Sequence, residues 1–274
     1  LIFSQKIFIK AALVPTVYAF FLLCLVSGSI YIFNDIIDLK RDKLSPKKRK
    51  RPIASGNLSP LMAFISFTIF SISGLYFSFF LSKNFGYVMC LYFSIQILYS
   101  LILKNIAIVD IFIIAVGFVL RVIAGAVLIS VPMSNWLLVC TMFLSLFLAI
   151  GKRRFELVNL ENNAKDHRSS LKGYNIQMLD QMMTIVAAVT VVTYALYTLS
   201  TETIIKFKTT QLVYTVPFVL YGIFRYLYLI YEKEVGGNPE EILLTDIPLI
   251  IDLIAYAIAV AIIIYKLFGQ LPKF

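Results

Sequence analysis

Three carboxylates and one carboxamide lie close together directly after a long apolar segment, at positions Asn34, Asp35, Asp38 and Asp42. The aspartate spacing of i, i+3 and i+7 places all three carboxylates on one face of a continuing helix. Like charges on one face repel one another, and a bound cation relieves that repulsion. Oxygen ligands suit Mg²⁺, with Mn²⁺ as an alternative, and such ions commonly hold substrate phosphates. We therefore predict that these four residues bind a divalent metal and that Asp35 and Asp38 are catalytic.

The alternative interpretation is a solvated helix end whose acids only balance the basic residues that follow. Such a balance needs no helical register, and it does not favour polar residues at a membrane boundary. Ionisable groups at membrane depth are costly and usually functional. The sequence therefore favours metal binding over charge balance.

A basic run follows the acidic residues, with eight Lys and Arg between Lys40 and Arg51. Positive charge that keeps a loop in the cytoplasm explains most of this run. Arg49 and Arg51, just before Pro52, are predicted to reach substrate phosphate as well. The reason is that a planar guanidinium is the better bidentate phosphate ligand.

Two further pairs lie in or beside apolar segments. Tyr99 and Lys104 are either interface and topology residues or phosphate ligands at the mouth of a cavity. Asp110 and Arg121 are eleven residues apart, about three helical turns, so they share a face. Arg121 would lie so deep in the bilayer that it must meet an anion, a carbonyl or water. We predict that Asp110 and Arg121 are catalytic, with a structural ion pair as the alternative.

A second polar loop begins with Lys152 and Arg153. These residues directly follow an apolar segment, as the first polar loop does. They are predicted to bind substrate phosphate, and the alternative is again positive charge that only orients the loop. Arg225 lies near the end of another apolar segment and is expected to extend to the membrane interface, with a phosphate contact as the alternative.

The elements that carry these residues are predicted to be membrane-spanning helices. Sixty per cent hydrophobic residues and a mean hydropathy of +0.87 exclude an ordinary soluble domain. Continuous apolar runs of about 20 residues predict helices, whereas a membrane barrel would show alternation. The fold class is therefore an all-α polytopic bundle forming a single domain over residues 1–274. The eight predicted spans are roughly 11–33, 58–81, 84–103, 106–130, 132–150, 179–203, 209–231 and 247–268.

Loop charge predicts the orientation of the bundle. The 34–57 loop carries eight Lys and Arg and the 151–178 loop carries six, whereas the opposite face has scattered lysines. This asymmetry places both loops in the cytoplasm of a plasma-membrane protein. Four spans separate the two loops, a spacing typical of two four-helix halves. His167 is the only histidine, which argues against a histidine-based metal site.

The acidic motif resembles the first signature of the UbiA superfamily of intramembrane prenyltransferases, N-D-x-x-D-x-x-x-D. All four signature positions are matched, from Asn34 to Asp42. The resemblance implies a nine-helix bundle with a cytoplasm-facing cavity in which Mg²⁺ holds a pyrophosphate. Eight predicted spans then imply that most of the first family helix is absent from the given chain.

The remaining motifs depart from the aromatic prenyltransferases of that superfamily. Their second signature is a pair of aspartates four apart, but here only Asp110 is present and Ile114 stands four positions on. Their Tyr-x-x-x-Lys motif has one extra residue here, because four residues separate Tyr99 from Lys104. The chain is more similar to the decaprenyl-phosphate phosphoribosyltransferase branch. That resemblance rests on Asp110 through Gly125, Gly151 through Leu157, His167-Arg168 and the run Gly-Gly-Asn-Pro-Glu-Glu241.

This branch implies transfer of 5-phosphoribosyl from phosphoribosyl pyrophosphate to a polyprenyl phosphate, with release of pyrophosphate, in cell-envelope synthesis. The expected partners are these two substrates and the membrane, with no nucleic acid; a homo-oligomer is left open. One alternative is prenyl transfer from a polyprenyl diphosphate to an aromatic acceptor, against which the missing second aspartate argues. A more distant alternative is a transporter, which would place its charges near mid-membrane rather than at one face.

Overall fold

The computed structural model describes residues 3–45, 48–159, 169–232 and 239–265 of the chain. His167, Arg168 and Asn238, which contribute to the family resemblance, lie outside these ranges. Within them all regular secondary structure is helical. Eight helices are long and apolar enough to cross a membrane, which confirms the predicted all-α, eight-span fold.

Eleven α-helices are present in the described ranges, and four short 3₁₀ turns lie between them. The α-helices are α1 Lys10–Ile37, α2 Leu39–Leu44, α3 Pro60–Leu81, α4 Lys83–Leu101, α5 Val109–Leu128, α6 Asn135–Asn159, α7 Ile176–Leu199, α8 Thr201–Phe207, α9 Val216–Tyr231, α10 Pro239–Thr245 and α11 Ile247–Tyr265. The 3₁₀ turns are Lys48–Lys50, Leu103–Asn105, Ser169–Gly173 and Gln211–Thr215. Helices α2, α8 and α10 are too short to span a bilayer.

Two helices extend further than the apolar pattern predicts. Helix α1 runs to Ile37 rather than to residue 33, and α6 runs to Asn159 rather than to residue 150. Lys152 and Arg153 therefore lie within a helix rather than in a loop, which corrects the predicted boundary. Lys, Arg and Glu are good helix formers, so a helix continues past the point where its sequence stops being apolar.

The chain divides into two compact units, each with four of the eight spans. The N-terminal unit comprises Lys10–Pro132 together with the described residues 169–175. The C-terminal unit comprises the described parts of Leu1–Ile9, Met133–Asn159 and Ile176–Phe274. The division falls between the fourth and fifth spans, as the spacing of the two polar loops predicted, whereas the single-domain assignment stays a prediction.

In the N-terminal unit, α1 packs against α3, α4 and α5. Its buried core includes Val26 and Ile30 of α1, Met89 and Tyr92 of α4, and Leu120 of α5. In the C-terminal unit, α7 packs against α6 and α9, and α9 packs against α11. This packing holds the ends of α1, α4 and α5 close together, and most of the predicted site residues lie there.

Candidate active site

The acidic residues lie where α1 gives way to α2. The helices are separated only at Asp38, and backbone hydrogen bonds continue across the break. Asp38 N donates to Asn34 O at 2.9 Å, and Asp42 N donates to Asp38 O at 2.8 Å. The helical register is therefore kept from Asn34 to Asp42.

Arg51 links two of the three aspartates. Its Nη1 donates to Asp35 Oδ1 at 2.6 Å and to Asp42 Oδ2 at 2.9 Å. Asp42 is 3% exposed, so one of these carboxylates is held well away from water. Arg51 was predicted to bind phosphate, and the fold brings it directly onto the acidic residues.

Lys104 links the other two residues of the motif. Its Nζ donates to Asn34 Oδ1 at 2.9 Å and to Asp38 Oδ2 at 2.7 Å. Lys104 is 4% exposed, which is unusual for a lysine and requires that its charge be paired. A second cation, Arg41, lies 3.9 Å from Asp38 and bonds Asn105 Oδ1 at 3.2 Å.

The motif keeps the single face predicted from the sequence, and its four residues divide into two pairs that contact different cations. At 100° per residue, Asp35 and Asp42 differ by about 20° around the helix, whereas Asp38 is about 60° from Asp35 and about 40° from Asn34. Asp35 and Asp42, at one edge of this face, contact Arg51, and Asn34 and Asp38, toward the other edge, contact Lys104. Within the described ranges no three His, Cys, Asp or Glu side chains are gathered closely enough to hold a metal.

The donor set nevertheless fits a hard cation. Arg51 Nη1 and Lys104 Nζ each stand where two oxygens from the motif converge within 2.9 Å. Each point is therefore one that two oxygen ligands can share, and oxygen-only ligands are those that Mg²⁺ prefers. A cation that bound at either point would release a basic side chain for another anion.

Asp110 has a different environment from the one predicted. It is fully buried, and its carboxylate accepts hydrogen bonds from Tyr174 at 2.7 Å and Ser170 at 3.2 Å. These donors come from the 3₁₀ turn Ser169–Gly173 and the residue that follows it. Asp110 therefore anchors a distant segment, and the structure does not bring it together with Arg121.

An unusual turn lies between Lys104 and Asp110. Ile108 has φ 69° and ψ −49°, and Val109 N donates to Ala107 O at 2.8 Å, so these residues form a γ-turn. A positive φ at a β-branched residue is strained, at a cost of about 1–3 kcal/mol. The Tyr174 hydroxyl accepts a hydrogen bond from Ile108 N, which holds the turn in place. Strain of this kind persists only where surrounding contacts determine the backbone.

Arg121 makes its hydrogen bond with a tyrosine. Its Nη2 donates to Tyr92 Oη at 2.8 Å, and that oxygen lies 3.0 Å from Ser27 Oγ. Sequence reasoning missed both Tyr92 and Ser27. A tyrosine within an apolar helix is ordinarily interpreted as core packing, and no local pattern distinguishes this one.

The remaining predicted residues are not all gathered at the motif. Arg49 is exposed in the 3₁₀ turn Lys48–Lys50, and Tyr99 is partly buried on α4. Lys152 and Arg153 belong to the C-terminal unit, where Arg153 is 1% exposed and its Nη1 lies 2.6 Å from Glu156 Oε2. Their predicted phosphate contacts stay predictions.

Two further ion pairs in the C-terminal unit, besides that of Arg153 with Glu156, were not predicted. Arg225 donates to both oxygens of Asp246, at 3.0 Å and 2.8 Å, and Asp246 directly precedes the last span, α11. Asp246 also accepts from Leu249 N at the start of α11, so this pair fixes a helix end. Arg154 Nε donates to Asp180 Oδ1 at 2.5 Å.

The family of the chain follows from comparison with known proteins. The model of the UbiA prenyltransferase family matches residues 7–239. The chain belongs to this family. It is therefore an integral membrane transferase, in agreement with the acidic motif and the eight spans.

Curated relatives give a finer comparison. The chain is 36% identical over 235 residues to a decaprenyl-phosphate phosphoribosyltransferase of Mycolicibacterium smegmatis, covering 83% of this chain and 73% of that protein. It is 32% identical over 266 residues to the protein of the same name from Corynebacterium glutamicum, covering 96% of this chain and 79% of that protein. These similarities extend over most of both chains.

Solved structures support the fold. A UbiA homologue from Archaeoglobus fulgidus bound to GPP and Mg²⁺ superposes with a TM-score of 0.70 at 17% sequence identity. The superposition covers 92% of this chain and 88% of the archaeal chain. At this identity the comparison establishes a shared helical fold.

Proposed function

We propose that this protein transfers the 5-phosphoribosyl group from phosphoribosyl pyrophosphate to a polyprenyl phosphate and releases pyrophosphate. The observation that carries the proposal is the junction of α1 and α2, where four oxygen-bearing side chains meet two buried or half-buried cations. The relatives named decaprenyl-phosphate phosphoribosyltransferase, similar over most of their length, give the substrate pair.

The acidic residues suit the leaving group of this reaction. Asn34, Asp35, Asp38 and Asp42 supply oxygen ligands for Mg²⁺, with Mn²⁺ as an alternative ion. When bound, the metal neutralises charge that develops on the departing pyrophosphate. We assign this role to the motif because its oxygens converge in pairs on single points.

The basic residues suit the phosphates. Arg51 and Lys104 lie within hydrogen-bonding distance of the acidic motif, so each can contact a pyrophosphate held there. Arg is suited to bidentate phosphate contacts, and Lys acts as a compact point charge. Arg49, Tyr99, Lys152 and Arg153 are further phosphate ligands in this proposal.

The transfer itself requires little acid–base chemistry. A lipid phosphate oxygen attacks the anomeric carbon, a new carbon–oxygen bond forms, and the bond to pyrophosphate breaks with its electron pair leaving on pyrophosphate. A phosphate nucleophile is already ionised at neutral pH, so no strong general base is needed. Catalysis comes from alignment of two polyanions and from compensation of their charge.

The reaction is proposed to occur at the cytoplasmic face of the plasma membrane. The two loops rich in Lys and Arg support this orientation. A cytoplasmic site has direct access to a soluble phosphorylated sugar, and the lipid acceptor reaches it from the bilayer.

A membrane assay tests the proposal. Membranes that contain the full chain are incubated with Mg²⁺, labelled phosphoribosyl pyrophosphate and decaprenyl phosphate, and label is then measured in the lipid extract. Wild-type protein should label the lipid, and Asp35→Ala or Asp38→Ala should lower the rate about 100-fold or more, because charge on the leaving group is no longer neutralised. Glu202→Ala, which removes an exposed acid from α8, is the matched control and should keep full activity.

Two outcomes would contradict the proposal. Absence of labelled lipid from correctly folded protein would exclude phosphoribosyl transfer. Unchanged turnover in both aspartate variants would remove the metal assignment. The family name also supports a second reaction, prenyl transfer, which the same membranes test with a polyprenyl diphosphate and a labelled aromatic acceptor.

A further inference from the structure

Arg121 is a charged side chain deep in a membrane-spanning helix without a carboxylate partner among the described residues. It is the thirteenth residue of the α5 helix Val109–Leu128. Its contacts are the Tyr92 hydroxyl, at 2.8 Å from Nη2, and the rings of Tyr92 and Phe118, whose centroids lie 5.3 Å and 5.1 Å from Cζ. Its Nε is buried and has no hydrogen-bond partner.

These contacts orient the guanidinium but do not neutralise it. Arg stays protonated in proteins, so its charge cannot be removed by a shift in protonation. Two aromatic faces and one phenol oxygen stabilise a cation only in part. A guanidinium at this depth, with a buried nitrogen left unbonded, therefore has the capacity for an additional anion.

Polar groups from three helices converge beside this guanidinium. Tyr92 of α4 is 3% exposed, and its hydroxyl lies 3.0 Å from Ser27 Oγ of α1. Gly117 of α5, one turn before Arg121, leaves space that the Gln96 amide fills. A Cβ at Gly117 would lie only 2.5 Å from Gln96 Nε2. The N-terminal unit thus contains a polar cluster among its membrane-spanning helices.

The cluster is separate from the acidic motif. Ser27 precedes Asn34 by seven residues of the same helix, about 10 Å along the axis. On α5, Arg121 lies eleven residues beyond Asp110, about 16 Å along the axis. One phosphate group cannot span that separation, so an anion at Arg121 is a different group from a pyrophosphate at the Asn34–Asp42 motif.

We propose that Arg121, Tyr92 and Ser27 form a second anion subsite that takes a phosphate monoester. The inference rests on the proposed function, in which each substrate carries one such group: the 5-phosphate of the donor and the phosphate of the lipid. Arg121 provides the charge and donor nitrogens, and the Tyr92 hydroxyl holds the guanidinium in place. The Ser27 hydroxyl is a further donor from α1.

Binding measurements test the subsite without turnover. Full-length protein in detergent is titrated with three probes: ribose 5-phosphate, farnesyl phosphate and inorganic pyrophosphate with Mg²⁺. Arg121→Met should weaken binding of one of the two monoesters at least 10-fold and leave pyrophosphate binding unchanged. Loss confined to ribose 5-phosphate assigns the subsite to the donor, and loss confined to farnesyl phosphate assigns it to the lipid.

Two further variants separate binding from folding. Arg121→Lys keeps the charge but loses the planar fork, so it should give an intermediate loss, and Tyr92→Phe should weaken the same monoester through loss of orientation. Lys83→Met, an exposed lysine at the start of α4, is the charge-matched control. The subsite is overturned if the variants bind pyrophosphate and the monoester with equally weakened affinity. It is also overturned if folded Arg121→Lys and Tyr92→Phe proteins bind the monoester with unchanged affinity.

The outcomes distinguish this inference from the proposed function. If wild-type protein binds a monoester through Arg121 but transfers no phosphoribosyl group, the proposed reaction fails and the subsite stands. If wild-type protein is active and the Arg121 variants bind both monoesters normally, the reaction stands and the subsite fails.

Discussion

Lys104 illustrates how one side chain ties the motif together. It is almost fully buried, yet it is paired with an amide oxygen and a carboxylate that belong to the acidic motif. A buried lysine without its partner would carry a large desolvation penalty. Its position therefore depends on its contacts with Asn34 and Asp38.

Replacement of Lys104 tests whether it contacts substrate. Lys104→Gln removes a hydrogen bond from a charged group, which is worth about 1.5–3 kcal/mol. If Lys104 bonds to pyrophosphate, the value of kcat/KM for the donor should fall roughly 10- to 100-fold. Lys104→Arg should recover part of the rate because it restores the positive charge. Steady-state kinetics in membranes at saturating lipid measure both effects.

The two possible roles of Lys104 differ in their dependence on metal. If Lys104 only balances Asp38, its removal frees a metal ligand, and the Mg²⁺ concentration for half-maximal activity should fall without loss of maximal rate. That result would contradict a substrate contact. Lys208→Gln, which removes an exposed lysine at the end of α8, serves as the control.

The segment 169–174 shows how one element positions another. Its Tyr174 hydroxyl joins Asp110 to the strained turn at Ile108, four residues beyond Lys104. Contact is close, since a Cβ at Gly173 would lie 2.6 Å from Ala107 Cβ. This segment therefore maintains the backbone that presents Lys104 to the motif.

Tyr174→Phe should loosen this region. The change removes the acceptor of Ile108 N and one of the donors to the buried Asp110 carboxylate. Loss of a hydrogen bond to a charged group costs about 1.5–3 kcal/mol. We expect a lower unfolding temperature in detergent and faster hydrogen exchange in residues 105–110 and 169–174. Tyr214→Phe removes an exposed hydroxyl and should change neither measurement. Equal exchange in both variants would contradict a positioning role for Tyr174.

The N-terminal unit places the acidic motif and the basic residues that contact it at one end of its helices. The junction of α1 and α2, the basic turn Lys48–Lys50 and the turn Leu103–Asn105 lie at one end of the N-terminal unit, linked by Arg51 and Lys104. The α3–α4 connection at Ser82 joins the opposite ends of its helices. An enzyme that uses a soluble donor requires the charged end to face the cytoplasm.

Labelling of introduced cysteines tests this orientation. Asn57→Cys, in the loop after the acidic motif, should react with a membrane-impermeant maleimide only in inside-out vesicles. Asn84→Cys, near the α3–α4 connection, should react only in right-side-out vesicles or intact cells. Both are made in a background in which the three native cysteines are replaced by alanine. The reverse labelling pattern would contradict a cytoplasmic site.

The fold and the motif were predictable from different kinds of sequence signal. Apolar runs predicted all eight spans, because a single segment of about 20 residues contains both the hydrophobicity and the length that a membrane-spanning helix needs. The four motif positions were predictable because their spacing follows one helical register, which continues across the junction of α1 and α2. The partition of that motif between Arg51 and Lys104 was not, because Lys104 and Asp38 are 66 residues apart.

The sequence by itself determined the membrane class, the eight spans found in the described ranges and the spacing of the oxygen-bearing side chains from Asn34 to Asp42. These properties depend on local composition and on helical periodicity, which a single segment contains in full. Only the tertiary structure decided that Asp110 accepts a hydrogen bond from Tyr174 and that Arg121 donates one to Tyr92. It also decided that Arg51 and Lys104 each contact a different pair of residues in the acidic motif. These contacts join segments between 9 and 70 residues apart, and no local pattern encodes them because they form only when separate helices pack.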